Sequence, residues 1–172
     1  SSGTLLQRSR IPYSKGLPVN EPMTSKVPMW FWIVAVVAVL WNIMGGMIFL
    51  TEMFSQEALM EGMTDEQKAW VRSTPSWIYF VFGLSVATGL LGSVGLLLRR
   101  SFPVILFSIS FVAVLVQMIY TMVIAGGLQV MGPSGAVMPV IVTVLAFIWL
   151  VASIYFNRQG WLSNANRHPA AT

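Results

Sequence analysis

Hydrophobic positions along the chain are gathered into four long runs, separated by polar or very short segments. The runs cover residues 29–50, 77–98, 104–125 and 138–156, and none of them contains a charged residue. A helix rises about 1.5 Å per residue, so about 20 apolar residues are needed to cross about 30 Å of hydrocarbon. The runs lack the alternation of barrel strands, and lipid leaves no partner for unpaired backbone groups. Each run therefore predicts a membrane-spanning helix.

Prolines mark the beginnings of these helices. Pro28 and Pro75 lie just before the first and second runs, and Pro103 opens the third. Proline suits a first helical turn, where its missing N–H would have no partner in any case. Pro133 and Pro139 both lie near the start of the fourth run. They leave open whether that helix begins earlier and bends at Pro139.

The fold class predicted is an all-α membrane protein, an antiparallel four-transmembrane-helix bundle with a short helical outer loop. Residues 1–27 form a polar, proline-containing cytoplasmic arm that we expect to be extended or disordered on its own. Residues 28–162 form the four-helix domain, with the outer loop at 51–76, and residues 163–172 form a short cytoplasmic tail. In the loop, Thr64 and Gln67 have the spacing of a capping box, which predicts a short helix from Asp65 to about Ser73. This loop either caps the bundle at the outer leaflet or forms a lid over a site.

Composition and charge indicate where the protein lies and how it is oriented. The chain is 56% hydrophobic and 9% charged, whereas a soluble domain carries about 25% charged residues, which excludes an ordinary soluble enzyme. Basic residues precede the first run, separate the second from the third, and follow the fourth, whereas five acidic residues lie in the outer loop. This asymmetry predicts a multi-pass membrane protein with both termini cytoplasmic. The scattered charges do not favour nucleic-acid binding. The orientation charges are Arg8, Arg10, Arg99, Arg100 and Arg158.

Few side chains in the runs can carry chemistry. The chain has no cysteine, and its one histidine, His168, lies in the tail. These counts exclude a histidine-ligated haem within the membrane and thiol chemistry, and we predict no metal site, no catalytic residue and no enzymatic activity. No cofactor is identifiable, although a lipid or a lipophilic cofactor is compatible with the pattern. Glu52, just beyond the first run, is interpreted as a solvated loop carboxylate.

Two amides stand at the same predicted depth. Asn42 and Gln117 each follow the proline of their helix by 14 residues, which places both about 21 Å from the inner start. Ser85 lies at a similar level and Thr143 somewhat nearer the outer face. We predict an uncharged polar layer in which Asn42 and Gln117 are close enough to hydrogen-bond. The layer serves either as hydrogen bonding between helices or as contacts to a neutral ligand.

Small residues line the second run. Ser85, Gly89 and Ser93 follow one another at spacings of four, and Gly92 lies beside them. Because small residues let helix backbones approach closely, this helix is expected to be the most tightly packed. Gly45 and Gly46 of the first run are its expected contacts.

Several short motifs lie along the segment 28–162: Trp41-Asn42 with Gly45, Thr74-Pro75-Ser76-Trp77, the stretch GLLGSVGLLLRR at 89–100, Gln117-Met118-Ile119-Tyr120, Pro139, and Gly160-Trp161-Leu162. In these motifs the segment resembles an uncharacterised family of small four-helix bacterial inner-membrane proteins, which are often loosely labelled sugar transporters. This resemblance implies a location in the bacterial inner membrane and no active site. By topology alone the segment is also similar to the DoxX-like four-helix proteins, which associate with redox enzymes.

Two classes of function remain open from the sequence. The first is a non-enzymatic accessory or structural subunit of a larger membrane complex, packed against partner helices and against lipid or a lipophilic cofactor. The alternative is a transporter of small neutral, sugar-like solutes that works as an oligomer. Expected partners are membrane lipid and other membrane-protein subunits, without nucleic acid.

Overall fold

The structure, a computed structural model, describes residues 27–162. The predicted tail and almost all of the predicted arm, with Arg8, Arg10 and His168, lie outside the described residues. Of the described residues 83% are helical, and none of them forms a strand. The fold within this range is thus all-α.

Four long helices correspond to the four apolar runs. Each is long and apolar enough to cross a membrane, which supports a multi-pass membrane protein. They are α1 (Met29–Phe54), α4 (Ser76–Leu97), α5 (Pro103–Met118), which continues as a π-helical segment (Ile119–Ile124), and α7 (Val137–Arg158). Three short helices connect them: α2 (Gln56–Leu59), α3 (Asp65–Arg72) and α6 (Gly127–Gly135).

Helix ends differ from the predicted ones where polar residues continue a helix. Helix α1 extends four residues past the apolar run, and the Thr51 hydroxyl donates to the Met47 carbonyl at 2.9 Å within it. Pro139 lies in the first turn of α7, where proline is tolerated, and Pro133 belongs to α6. Helix α6 itself, interrupted at Gly132 with φ 70°, is not predicted by the sequence.

Helix α4 is the most buried of the long helices, and it packs against α1 on one side and α5 on the other. A Cβ atom at Gly92 would lie 3.3 Å from the Phe107 ring of α5, so glycine allows this close approach. A Cβ atom at Gly46 of α1 would lie 3.7 Å from Val86 Cγ1 of α4. Gly45 has no atom within 4 Å of the corresponding position, and so it does not make the packing contact expected of it.

Aromatic side chains join α1 and α7 at the end of the molecule that holds Pro28 and Trp161, here called the termini end. The Phe31 and Phe156 rings meet at 4.8 Å, and Trp30 meets Trp161 at 5.4 Å. Arg99, which follows α4, donates from Nε to the Trp161 carbonyl at 3.0 Å. Phe31 and Phe156 are completely buried, so the hydrophobic core lies toward this end.

The short helices pack together at the opposite end, here called the loop end. The capping box of Thr64 and Gln67 is confirmed, with both reciprocal hydrogen bonds present. The Trp70 indole of α3 donates to the Ala125 carbonyl at 2.6 Å and thereby holds α3 against the end of the π-helical segment. The loop is therefore tied to the long helices and to α6.

Candidate functional site: a cavity between the long helices

A cavity of about 320 Å³ lies between α1, α4, α5 with its π-helical segment, and α7. Its wall runs from Trp41 to Glu52 on α1 and from Met138 to Trp149 on α7. Eleven residue steps correspond to about 16 Å of helix, so the cavity reaches from the loop end to about the middle of the long helices. Gly45 contributes to the space because it presents no side chain there.

The cavity opens sideways between α1 and α7. Three lining side chains are exposed, namely Met44 at 41%, Ile48 at 38% and Met138 at 52%, and all three belong to these two helices. Within residues 27–162, α1 and α7 also lack the extended backbone interface that joins α1 to α4, α4 to α5, and α5 to α7. The opening is apolar, and at the termini end the aromatic contacts between α1 and α7 close the cavity.

The structure brings all four residues of the predicted polar layer to this one cavity. Asn42, Ser85, Gln117 and Thr143 line it together. The expected hydrogen bond between Asn42 and Gln117 is not formed. The Asn42 Nδ2 instead donates to the Ala38 carbonyl of its own helix at 2.8 Å.

The hydroxyl groups on the wall already donate hydrogen bonds within the protein. Each donates to a backbone carbonyl at 2.8 Å: Ser85 to Phe82, Ser110 to Ser85, Thr121 to Gln117, and Thr143 to Pro139. They therefore offer a ligand only acceptor lone pairs. In the described part of the chain the Gln117 side-chain amide has no hydrogen-bond partner, so it can both donate to a ligand and accept from it.

The Asn42 amide reaches α4 because position 89 is glycine. A Cβ atom at Gly89 would overlap Asn42 Oδ1 and would lie 3.2 Å from Ser110 Oγ. Asn42, Gly89 and Ser110 thus form one contact among α1, α4 and α5 beside the cavity. Ser93, one turn further along α4, is fully buried and donates to the Leu90 carbonyl at 2.8 Å, away from the cavity lining.

Glu52, the carboxylate closest to the first run, is part of the site. It lies inside α1 and lines the cavity half-buried, so its interpretation as a solvated loop carboxylate is corrected. Its position follows from helical spacing, because Trp41, Gly45, Ile48 and Glu52 follow one another at intervals of four, three and four residues. Extending the apolar face of the first run by one turn would have found it.

Trp149 supplies a second unexpected group at the deep end of the cavity. It lines the cavity and is 7% exposed, and its Nε1–H has no acceptor among the described residues. A buried indole N–H usually finds a partner, since an unpaired donor costs about 1–3 kcal/mol.

The short helices α2 and α3 of the outer loop stand apart from this wall. No described residue of α2 or α3 lines the cavity, and α3 packs on α6 through Trp70. The remaining orientation charges lie beyond it as well, since Arg100 follows α4 and Arg158 lies in the last turn of α7. Of the two interpretations of the loop, these contacts favour a cap on the helices over a lid.

Comparisons of the chain with known protein families, with curated proteins and with solved structures found no match. Proposals about function therefore depend on the geometry and chemistry of this cavity. Within residues 27–162 no group of three or more histidine, cysteine, aspartate or glutamate side chains is placed to hold a metal ion.

Proposed function

We propose that this protein is a non-enzymatic integral membrane protein that holds a lipid or another lipophilic molecule in the cavity, as an accessory subunit of a larger membrane complex. The observation that carries the proposal is the apolar opening between α1 and α7. In a bilayer such a sideways opening faces hydrocarbon or a partner helix, and only a lipophilic molecule is concentrated there. The wall combines mostly apolar side chains with a few polar groups, as ligand sites commonly do.

The arrangement we propose is an antiparallel four-helix bundle in the bacterial inner membrane, with both termini in the cytoplasm. Contacts between the start of α1 and the end of α7 support the antiparallel order. Arg99, Arg100 and Arg158 at the termini end, opposite the acidic residues of the loop end, support the orientation. The bacterial assignment rests on the resemblance given above.

Orientation can be tested with single cysteines, since the chain contains none. Ser73, at the loop end, and Ser101, in the turn between α4 and α5, form a matched pair. In intact cells a membrane-impermeant thiol reagent should label the Ser73→Cys protein and leave Ser101→Cys unlabelled. The reverse pattern would overturn the orientation, and labelling of both or neither would overturn the opposite placement of the two ends.

Binding can be tested by filling the cavity. In Gly45→Leu the new side chain projects into the cavity, where nothing lies within 4 Å of its Cβ. Ala87→Leu on the exposed side of α4 adds the same side chain outside it. With the purified full chain in lipid nanodiscs and decanol as the probe, equilibrium dialysis should show binding above that of empty discs. We expect the binding to be lost in Gly45→Leu and kept in Ala87→Leu.

Two results would contradict this function. Decanol binding that is the same in Gly45→Leu and in the wild type would place the ligand outside the cavity. Absence of binding above empty discs would show that the protein holds no such ligand. The accessory role predicts in addition that the protein, extracted from its native membrane in mild detergent, migrates with a defined larger complex. Migration as an isolated chain or a simple homo-oligomer would contradict that part.

A second candidate is transport of a small neutral solute by an oligomer. It is favoured by the uncharged groups Asn42, Ser85, Gln117 and Thr143 on one cavity wall. Transport would require the closed aromatic end to open, and for this reason we place it second. Uptake of a radiolabelled neutral sugar into liposomes that contain the purified protein would support it, particularly if Gln117→Leu abolished the uptake. No uptake above that of protein-free liposomes would reject it.

A further inference from the structure

We infer that the ligand of this cavity is an amphiphile with a positively charged amino head group, and that Glu52 is its counter-charge. The inference rests on the proposed function and specifies the ligand class of the same site. It starts from the charge of the wall: Glu52 is the one formally charged side chain lining the cavity within residues 27–162.

Glu52 has no cationic partner within the described part of the chain. No lysine or arginine nitrogen of these residues lies within 4 Å of its carboxylate, and it makes no hydrogen bond there. Arg72 is paired with Glu57 at 3.1 Å, and Arg99 contacts the carbonyl of Trp161 at the termini end. A half-buried carboxylate has lost part of its hydration, and a nearby opposite charge compensates for that loss of free energy.

Its place in the helix adds to the negative potential. Glu52 lies in the last turns of α1, which ends at Phe54 and carries no basic residue in its last turn. The carboxyl end of a helix has the character of about half a negative charge. The carboxylate and the helix end therefore both favour a cation at this corner of the cavity and disfavour an anion.

The remainder of the wall determines the shape of the ligand. Glu52 lies near the loop end of α1, ten residue steps, or about 15 Å, from Asn42. Between these two levels Met44, Ile48 and Met138 border the opening with apolar groups. A charged head at Glu52 and an apolar chain along this opening match the arrangement, and so the geometry fits an alkylammonium better than a compact cation.

The test compares two probes with the same alkyl chain, decylamine and decanol, of which only the amine is charged at neutral pH, with the purified full chain in nanodiscs of neutral lipid. An aliphatic amine is protonated at pH 7, as a lysine side chain is. Wild-type protein should bind decylamine at least about tenfold more tightly than decanol, after subtraction of empty discs, since a partly buried charge pair is stronger than one in water. Glu52→Gln should bring the two affinities together by weakening amine binding.

Glu61→Gln is the matched control. It removes the same charge from an exposed loop position that does not line the cavity, and it should keep the full preference for the amine. If wild type binds both probes equally, the cation inference is overturned while the proposed function stands. If neither probe binds above empty discs, both are overturned. Should Glu52→Gln fail to purify as a folded protein, the ratio of amine to alcohol affinity in the wild type decides alone.

Discussion

Replacing Gly89 with alanine tests the contact that positions the polar layer. A Cβ atom at this position would overlap Asn42 Oδ1, so the Asn42 amide must rotate away and lose its hydrogen bond to the Ala38 carbonyl, now 2.8 Å long. Overpacking of this kind costs about 1–3 kcal/mol. Replacing glycine with alanine inside a helix by itself stabilises the helix by about 0.5–1 kcal/mol. We therefore expect Gly89→Ala to lower the free energy of unfolding by up to about 2.5 kcal/mol.

A double-mutant cycle with Asn42→Ala isolates the cause. Once the amide is gone, the neighbour left nearby is the Ser110 hydroxyl at 3.2 Å, which can move by rotation. In the Asn42→Ala background Gly89→Ala should then be neutral or stabilising by up to about 1 kcal/mol. The expected coupling between positions 42 and 89 is thus about 1–3 kcal/mol, within the range seen for residues in contact.

Reversible unfolding in mixed detergent micelles, followed by circular dichroism, provides the measurement. Gly92→Ala is the control, because its Cβ would contact the Phe107 ring at 3.3 Å and not Asn42. Its cost should be the same with and without Asn42. Additive costs for Gly89→Ala and Asn42→Ala, within about 0.5 kcal/mol, would refute the proposed contact.

Three further predictions concern the loop end. Trp70→Phe removes the donor to the Ala125 carbonyl and should lower the free energy of unfolding by about 1–3 kcal/mol. Amide hydrogen exchange over residues 127–135 should become faster, and unchanged exchange would show that the bond does not hold α6. Gly126→Ala, at φ 73°, should cost about 1–2 kcal/mol in the same unfolding assay, and a stabilised protein would contradict the left-handed conformation. The exposed pair of Arg72 and Glu57 should show a coupling below about 1 kcal/mol that disappears in high salt, whereas a larger, salt-resistant coupling would mean that the pair is buried.

The four spans and the capping box could be predicted because their signals are local. An apolar run of about 20 residues has few structural solutions in lipid, and Thr64 and Gln67 bond within one helical turn. The depth of Asn42 and Gln117 also followed from counting residues, and both amides line the cavity. Their partners could not be predicted, since those depend on rotation about the helix axes, which charge-free runs do not define.

Glu52 and Gly45 show where the composition of a run misleads. The apolar run ends at Leu50, yet a helix near the membrane surface can continue through polar residues, as α1 does from Thr51 to Phe54. The small size of Gly45 predicts a packing role. Glycine also creates space, and at this position it leaves part of a cavity. The π-helical segment and α6 depend on contacts such as that of Trp70 with Ala125, which join distant parts of the chain.

The most direct test of the central claim is the position at which a photoreactive long-chain alcohol crosslinks to the purified protein in nanodiscs. Met118 and Trp149 line the cavity and are not exposed, whereas Val36 and Ile109 are exposed and do not line it. We predict saturable labelling at Met118 and Trp149 that disappears in Gly45→Leu, together with unsaturable labelling at Val36 and Ile109 that does not change. Labelling confined to Val36, Ile109 and similar exposed positions, and unaffected by Gly45→Leu, would contradict a ligand site inside this protein.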